Sequence, residues 1–292
     1  MLIKRIVFFG YLERGKVMGK GTIFGIILGF GAILMGFVLE KGNIGALLLL
    51  SPAVIVFGGT LGAVMVSFSV KDVASMPKVI ASTMKNTSAK LQETMDEILG
   101  FATTVKRDGL LSLEKVTTEE GFSESHDPLM SRGLMLLMDG LDNELLKDVL
   151  ENDLYLFEER KKREIAVFEA AGGFSPTMGI IGTVMGLIQV LGNMESAEEL
   201  AASIAVAFVA TLYGVCFANL LYLPIANKLK LILKTLRLEK EMIIEGVLSI
   251  NNVESPIVIR EKLTPYLQMV ERKKRVTKET EEISNKQEGQ SL

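Results

Sequence analysis

Four long apolar runs that contain no charged residue constrain this chain more than any other feature of its sequence. They cover Gly21–Leu39, Ile44–Val70, Phe174–Leu191 and Ala201–Leu223. Each is near the length of about 20 apolar residues with which a helix crosses the hydrocarbon core of a bilayer. Because lipid offers the backbone no hydrogen-bond partners, such runs must form α-helices or closed barrels. The sequence therefore predicts an all-α integral membrane protein with four transmembrane helices.

The positions of lysine and arginine predict how these helices cross the membrane. The connectors Glu40–Asn43 and Gly192–Leu200 contain a single basic residue between them, Lys41. Basic residues are abundant at the other ends of the four runs: Lys4, Arg5, Arg14, Lys16 and Lys20 before the first, Lys71, Lys78 and Lys85 after the second, Arg160–Arg163 before the third, and Lys228, Lys230 and Lys234 after the fourth. Since basic residues are retained on the cytoplasmic side, both termini and the long central segment are expected inside the cell.

The remaining segments divide by composition. Apolar residues at spacings of three and four in Pro77–Phe101 and Leu134–Asn152 predict a helical cytoplasmic domain. The polar, charged C-terminus is typical of a disordered tail. The basic N-terminus is typical of a leader segment that lies at the membrane interface. The predicted domains are a leader (1–20), two outer transmembrane helices (21–70), a cytoplasmic helical domain (71–169), two inner transmembrane helices (170–227), C-terminal cytoplasmic helices (228–270) and a disordered tail (271–292).

The last two apolar runs carry the polar groups expected of an ion path. Thr183 and Thr211 place hydroxyls inside the bilayer, and neither run contains Asp, Glu, Lys, Arg or His. An ion path needs a group that binds and releases the ion. If these helices form one, the acid must therefore come from another polypeptide. Small residues on the same two runs predict a smooth surface towards that polypeptide: Gly179, Gly186, Ala205 and Ala218.

Glycines at intervals of four in the first two runs predict close helix packing within one subunit. They are Gly21, Gly25 and Gly29 in the first run, and Gly58 and Gly62 in the second.

Several function classes are excluded by what one chain contains. The single histidine, His126, excludes a multi-histidine metal site, and the single cysteine, Cys216, excludes an internal disulfide. We find no Ser-His-Asp set or phosphate-binding loop, so we predict no enzymatic activity, no metal, no cofactor and no nucleic-acid partner.

Three stretches together carry a family resemblance: PTMGIIGTVMGLIQVLGNM, AVAFVATLYGVCFANLLYLPIANKLK and IIEGVLSINNVESPIVIREKL. With four spans and a large loop between the second and third, the chain resembles the A subunit of the bacterial flagellar stator, the MotA and PomA family, from about residue 22 to about residue 270. The resemblance implies an inner-membrane protein that forms a ring, thought to be a pentamer, around two single-span MotB or PomB subunits carrying an essential aspartate. It also implies contact with membrane lipid and with the rotor switch protein FliG.

The resemblance also assigns roles to individual residues. Pro176 and Pro224 match the two family prolines, and Thr183 and Thr211 match the ion-path positions. Pro176 is counted with the ion path, and Pro224 and Gly179 with conformational coupling. The stretch KRDGLLSLE matches the charged segment that contacts the rotor, through Lys106 or Arg107 and Glu114.

The transported ion is expected to be H⁺ or Na⁺. Thr183 resembles the sodium-driven branch, and a hydroxyl can replace part of the water shell of Na⁺. Some family members carry an acidic residue shortly before the first proline. The corresponding place in this chain falls near Gly173, so that acidic residue is missing here. Two other functions remain open from the sequence: a proton-driven energiser of the ExbB and TolQ type, whose members have three spans, and a passive membrane scaffold.

Overall fold

The computed structural model describes residues 18–84, 90–117, 126–192 and 197–269, and every regular element in these ranges is helical. This confirms the predicted all-α fold. Residues 1–17 of the predicted leader and the whole predicted tail, 271–292, lie outside the described residues.

Eleven helices follow one another along the described chain. They are α1 (Met18–Leu39), α2 (Leu50–Ala53), α3 (Gly59–Ser67), α4 (Val70–Met84), α5 (Leu91–Asp108), α6 (Ser112–Thr117), α7 (Pro128–Met138), α8 (Asn143–Gly192), α9 (Ala197–Phe217), α10 (Leu223–Asn251) and α11 (residues 256–269). A 3₁₀ turn, Ile44–Leu47, precedes α2, and two π-helical turns, Val54–Gly58 and Ala218–Tyr222, join α2 to α3 and α9 to α10.

Four helical stretches are long and apolar enough to cross a membrane: Gly21–Leu39, Ile44–Ser67, Asn143–Gly192 and Ile204–Asn251. This confirms the four predicted spans, and we use the names first to fourth span for the apolar parts alone: Gly21–Leu39, Ile44–Ser67, Phe174–Leu191 and Ala201–Leu223. The last two stretches are much longer than a bilayer requires, because α8 and α10 continue past the apolar sequence. Neither Pro176, inside α8, nor Pro224, in the first turn of α10, ends its helix.

The chain forms two compact units. The membrane unit consists of the described residues within Met1–Thr87 and Lys161–Leu231. The second unit consists of those within Ser88–Arg160 and Ile232–Leu292, and we name it the cytoplasmic unit after the side of the membrane that the sequence predicts for it. The C-terminal helices therefore share a unit with the central loop. The sequence did not indicate this pairing.

One apolar core holds the cytoplasmic unit together. It is built from buried residues of six helices, among them Ile98 of α5, Leu113 of α6, Leu134 of α7, Leu150 of α8, Met242 of α10 and Leu263 of α11. Burial of one such side chain contributes roughly 1.5–3 kcal/mol. The central loop thus folds against helices that follow the fourth span in the sequence.

Buried charges in this unit are paired or hydrogen-bonded. Lys240 donates to both carboxylate oxygens of Asp127, whose Oδ1 also accepts the Leu129 N–H at 2.9 Å and so caps α7. Glu239 is 9% exposed and accepts a 3.1 Å hydrogen bond from the Thr94 hydroxyl of α5. Burial, which disfavours the charged form, raises the pKa of Glu239 above its ordinary value, and repulsion from Asp127 adds to this.

A strained residue ends α10. The Glu254 N–H bonds to Ser249 O at 3.1 Å, and the Val253 N–H bonds to Ile250 O at 2.9 Å, which is the pattern of a Schellman cap. Val253 occupies the left-handed position of this cap with φ 53°. Glycine is the usual residue there, because a β-branched side chain is strained at positive φ.

The predicted glycine packing of the first two spans holds only for Gly29. A Cβ atom there would lie 2.9 Å from the Leu220 side chain on the fourth span. The other four glycines, Gly21, Gly25, Gly58 and Gly62, face open space, with no atom of the described chain within 4 Å of an added Cβ. For these four the prediction is wrong, because their faces do not meet another helix of the same chain.

Candidate functional site

The third and fourth spans touch backbone to backbone. A Cβ atom on Gly214 would lie 2.5 Å from the Ser175 carbonyl oxygen, and one on Gly179 would lie 2.9 Å from the Ala210 carbonyl oxygen. Real Cβ atoms do not approach other atoms this closely, so only glycine allows the contact. The same face also contains Gly182, Gly186 and Ala207. Without a hydrophobic driving force between helices in lipid, close packing of this kind is a main source of association.

This packing corrects the prediction of a smooth surface towards a partner. Gly179 and Gly186 are buried, and Ala218 has no exposed surface. Ala205 alone among the four predicted residues is exposed. Gly179 and Gly186 therefore serve contact between two helices of the chain, because their missing side chains let the backbones meet.

The hydroxyls of Thr183 and Thr211 are hydrogen-bonded to each other across the two spans. Thr183 Oγ1 lies 3.1 Å from Gly179 O on its own helix and 3.0 Å from Ala207 O on the fourth span. Both threonines are half-buried. The structure thus brings together the two hydroxyls that the sequence placed at a similar depth.

These contacts form an oxygen cluster, consisting of Thr183 Oγ1, Thr211 Oγ1, Gly179 O and Ala207 O. The two hydroxyls supply two protons, whereas the cluster offers more acceptor lone pairs than that. Some lone pairs are therefore available to another donor or to a cation. Oxygen clusters of this kind suit hard cations such as Na⁺, and they can equally accept a proton relayed along hydroxyls.

Ser175 is a member of this site that the sequence analysis missed. It is completely buried, and its Oγ donates a 3.0 Å hydrogen bond to Gly214 O. Pro176 follows it, is half-buried, and has its Cα 3.2 Å from a Cβ built on Gly214. A proline also lacks the N–H that would bond to the carbonyl one turn earlier, at Gly172. A hydroxyl directly before a proline inside an apolar run was the signal that could have identified Ser175.

Pro224 lies away from the oxygen cluster. It is exposed and follows the π turn Ala218–Tyr222. Thirteen residues separate it from Thr211, which is roughly 20 Å along a helix. The structure therefore does not bring Pro224 to the oxygen cluster.

An ion pair links the helix segment before the third span to the one after the fourth span. Lys230 of α10 pairs with Glu169 of α8, and both side chains are partly exposed. Gly173, where the sequence analysis found no acid, is exposed, with open space where a Cβ would be. Glu169, about one turn earlier on the same helix, is bound to Lys230 of α10.

The predicted rotor contacts lie on the surface of the cytoplasmic unit. Lys106 and Arg107 lie in the last turn of α5, which ends at Asp108 and is followed by Gly109 with φ 82°. Glu114 lies in α6. All three charged residues are exposed. Three hydrogen bonds of 2.7–3.1 Å link Arg107 to the neighbouring Asp108, and they raise the pKa of the guanidinium.

The chain matches two family descriptions and several known proteins. Residues 122–242 match the MotA/TolQ/ExbB proton channel family, and residues 23–108 match the Motility protein A N-terminal family. The chain is 34% identical to Motility protein A of Bacillus subtilis over 258 residues, which cover 88% of this chain and 94% of that protein. It is 32% identical to the chemotaxis protein PomA of Vibrio alginolyticus over 250 residues, which cover 86% and 96%.

Two solved structures share the fold. The flagellar MotAB stator complex from Bacillus subtilis matches with a TM-score of 0.76 and 35% identity over 86% of this chain and 97% of that chain. C. jejuni MotAB matches with a TM-score of 0.77 and 30% identity over 84% and 94%.

Proposed function

The chain belongs to the Motility protein A branch of the MotA/TolQ/ExbB proton channel family, and from this membership we propose how it works as a flagellar stator subunit. It is a membrane protein and a subunit of the flagellar motor stator. In the proposal, it and a MotB-type partner form an ion channel in the inner membrane that converts ion flow into torque on the rotor.

The partner supplies the acid that this chain lacks. The third and fourth spans contain no ionisable carboxylate, and the two solved relatives are complexes of an A and a B protein. A MotB- or PomB-type single-span subunit would bring an aspartate next to these spans, and several copies of this chain, five in the family's arrangement, would surround it.

The oxygen cluster is the observation that carries the proposed ion path. Its two hydroxyls and two carbonyls replace part of the water shell of an ion that has left the aqueous phase. The path carries Na⁺ or H⁺, and the presence of the paired hydroxyls favours Na⁺. Moving one charge across the membrane releases about 2.3 kcal/mol per 100 mV, which is enough to bias a step between two packings of similar energy.

The cytoplasmic unit would pass the motion to the rotor. Lys106, Arg107 and Glu114 give the end of α5 and the start of α6 charges of both signs on an exposed surface. A rotor switch protein of the FliG type with complementary charges could be pushed through such contacts without a permanent bond, because exposed ion pairs contribute only about 0–1 kcal/mol.

An energiser of the ExbB and TolQ type is less well supported. Those proteins have three spans, whereas the described part of this chain alone contains four helical stretches long and apolar enough to cross a membrane. The match of residues 23–108 to the Motility protein A N-terminal family also favours the stator.

The test is motility. The chain and a MotB-type partner are produced in a host that has flagella but no stator, and swimming speed is followed as external Na⁺ is replaced at constant membrane potential. Swimming that falls with Na⁺ supports the sodium path, and swimming that depends only on the proton gradient assigns H⁺. A complex that assembles but never restores swimming contradicts the proposed function.

A further inference from the structure

The second span is broken near its start. The 3₁₀ turn ends at Leu47, Leu48 and Leu49 are not helical, and α2 begins at Leu50. No side chain caps α2 at its N-cap residue, Leu49. In a bilayer, each backbone group left without a partner costs several kcal/mol, so such a break requires a partner from elsewhere.

Tyr213 of the fourth span provides that partner on both sides of the break. Its hydroxyl donates to Leu47 O and accepts a hydrogen bond from the Leu49 N–H at 3.4 Å. A phenol has one proton to donate and lone pairs to accept with, so one group serves both functions.

The ring of Tyr213 is fixed as well. It stacks on Phe57 of the second span with centroids 6.0 Å apart and an interplanar angle of 24°. Phe57 lies in the π turn Val54–Gly58 and meets Phe217 of the fourth span edge-to-face at 4.5 Å. Phe217 in turn contacts Phe30 of the first span at 5.3 Å. Tyr213 is therefore held at its ring by one turn of the second span and at its hydroxyl by another.

We propose that Tyr213 is a positioning residue of the ion path, because its hydroxyl holds the fourth span at the height and rotation at which Thr211 meets Thr183. Tyr213 and Thr211 are two residues apart on the same helix, α9, which is about 3 Å along its axis. Fixing one side chain against the second span therefore fixes the other against the third. Hydrogen bonds weaken steeply when distances and angles change, so a small shift of α9 would open the oxygen cluster. This inference rests on the proposed function.

Removing the hydroxyl alone tests the proposal. In Tyr213→Phe the ring can still stack on Phe57, whereas both hydrogen bonds to the second span are lost. With the complete complex in cells, we expect the ion concentration for half-maximal swimming speed to rise roughly fivefold, about the effect of one lost hydrogen bond of about 1 kcal/mol. Tyr222→Phe is the matched control, since Tyr222 lies on the same span, in the apolar cluster at its cytoplasmic end. It should leave the half-maximal concentration unchanged.

A double-mutant cycle separates positioning from general support of the fold. If Tyr213 acts through Thr211, then Tyr213→Phe has no further effect on the half-maximal concentration once Thr211→Val has removed the Thr211 hydroxyl from the cluster. Effects that multiply would assign the two residues independent roles and overturn the proposal. Loss of the Tyr213→Phe complex from the membrane would overturn it too, because the hydroxyl would then serve folding.

A parallel measurement on Thr183→Val, which removes the hydroxyl from the oxygen cluster, distinguishes this inference from the proposed function. If that variant leaves the ion dependence unchanged, the oxygen cluster is not the ion path and the proposed mechanism fails. If it shifts the ion dependence while Tyr213→Phe does not, the ion path stands and the role of Tyr213 alone is rejected.

Discussion

Gly214 and Ser175 lock the third and fourth spans together. The Ser175 hydroxyl donates to Gly214 O at 3.0 Å, and a methyl group on Gly214 would lie 2.5 Å from Ser175 O. The two spans therefore behave as one rigid pair around the oxygen cluster, and changes at their contact should reach the cluster directly.

The first prediction concerns this contact. Gly214→Ala forces a methyl group against backbone atoms of Ser175, Pro176 and Gly179, which cannot move aside as a flexible side chain would. Overpacking of this kind costs about 1–3 kcal/mol. We expect lower thermal stability of the purified complex and loss of swimming. The matched control is Gly173→Ala on the same bundle, where nothing lies within 4 Å of the added Cβ. Equal behaviour of the two variants would contradict the described contact.

The second prediction concerns the hydroxyl of Thr183. Thr183→Val keeps the shape of the side chain and leaves Thr211 Oγ1 and Ala207 O without their partner. The loss of a buried hydrogen-bond partner costs about 1–3 kcal/mol, so we expect torque to fall by about fivefold or more. Torque is measured on tethered cells, with the amount of complex checked by immunoblotting. Thr183→Ser should retain most of it, and normal torque in the valine variant would remove Thr183 from the ion path.

The third prediction concerns strain at the end of α10. Val253 has a backbone φ of 53°, a conformation that glycine adopts without steric strain. We therefore expect Val253→Gly to raise the free energy of unfolding by about 1–2 kcal/mol. Val258→Gly is the control of opposite sign, because Val258 is about equally exposed but lies within α11, where glycine weakens a helix. Thermal unfolding of the complex measures both, and destabilisation by Val253→Gly would contradict the described backbone.

The fourth prediction concerns pH. The raised pKa of Glu239 means that the folded state binds this proton more tightly than the unfolded state does. The contribution of Glu239 to stability is therefore most favourable below its unfolded pKa and is lost as pH rises through the folded pKa. Glu239→Gln should stabilise α5 at neutral pH and give no advantage in acid.

Hydrogen exchange of the α5 amides, corrected for the intrinsic rate, measures this effect across pH. The control is Glu93→Gln, since Glu93 is exposed and paired with Lys90 at the surface. An equal pH dependence in wild type and Glu239→Gln would exclude Glu239 as its source.

The fifth prediction concerns the rotor surface. Lys106 and Arg107 are both exposed. Arg107 is paired with Asp108, which cancels part of the electrostatic field of its guanidinium. We therefore expect Lys106→Glu to reduce swimming more than Arg107→Glu. Compensating charge reversals in the rotor switch protein should restore motility to the stronger variant. The reverse order of effects would assign the rotor contact to Arg107.

The sequence predicted the spans and placed the Thr183 and Thr211 hydroxyls inside the membrane, because charge-free apolar runs and intramembrane hydroxyls are visible residue by residue. It did not predict that the two hydroxyls are hydrogen-bonded to each other. It did not predict which neighbour each glycine meets. A glycine spacing of four looks the same whether the helix faces its own chain, as at Gly29, or open space, as at Gly25. Tyr213 and Ser175 were missed for a related reason: their partners are backbone atoms of Leu47, Leu49 and Gly214, which any residue type provides.

The two π turns, Val54–Gly58 and Ala218–Tyr222, have a consequence for anyone who draws this protein as helical wheels. A π turn accommodates one more residue than an α turn, so everything beyond it is rotated by about 100° from its place on a regular wheel. A diagram that runs through Ala218–Tyr222 without a break would put Lys228 and Lys230 on the wrong sides of α10. The wheel has to be restarted after each π turn before its faces correspond to the molecule.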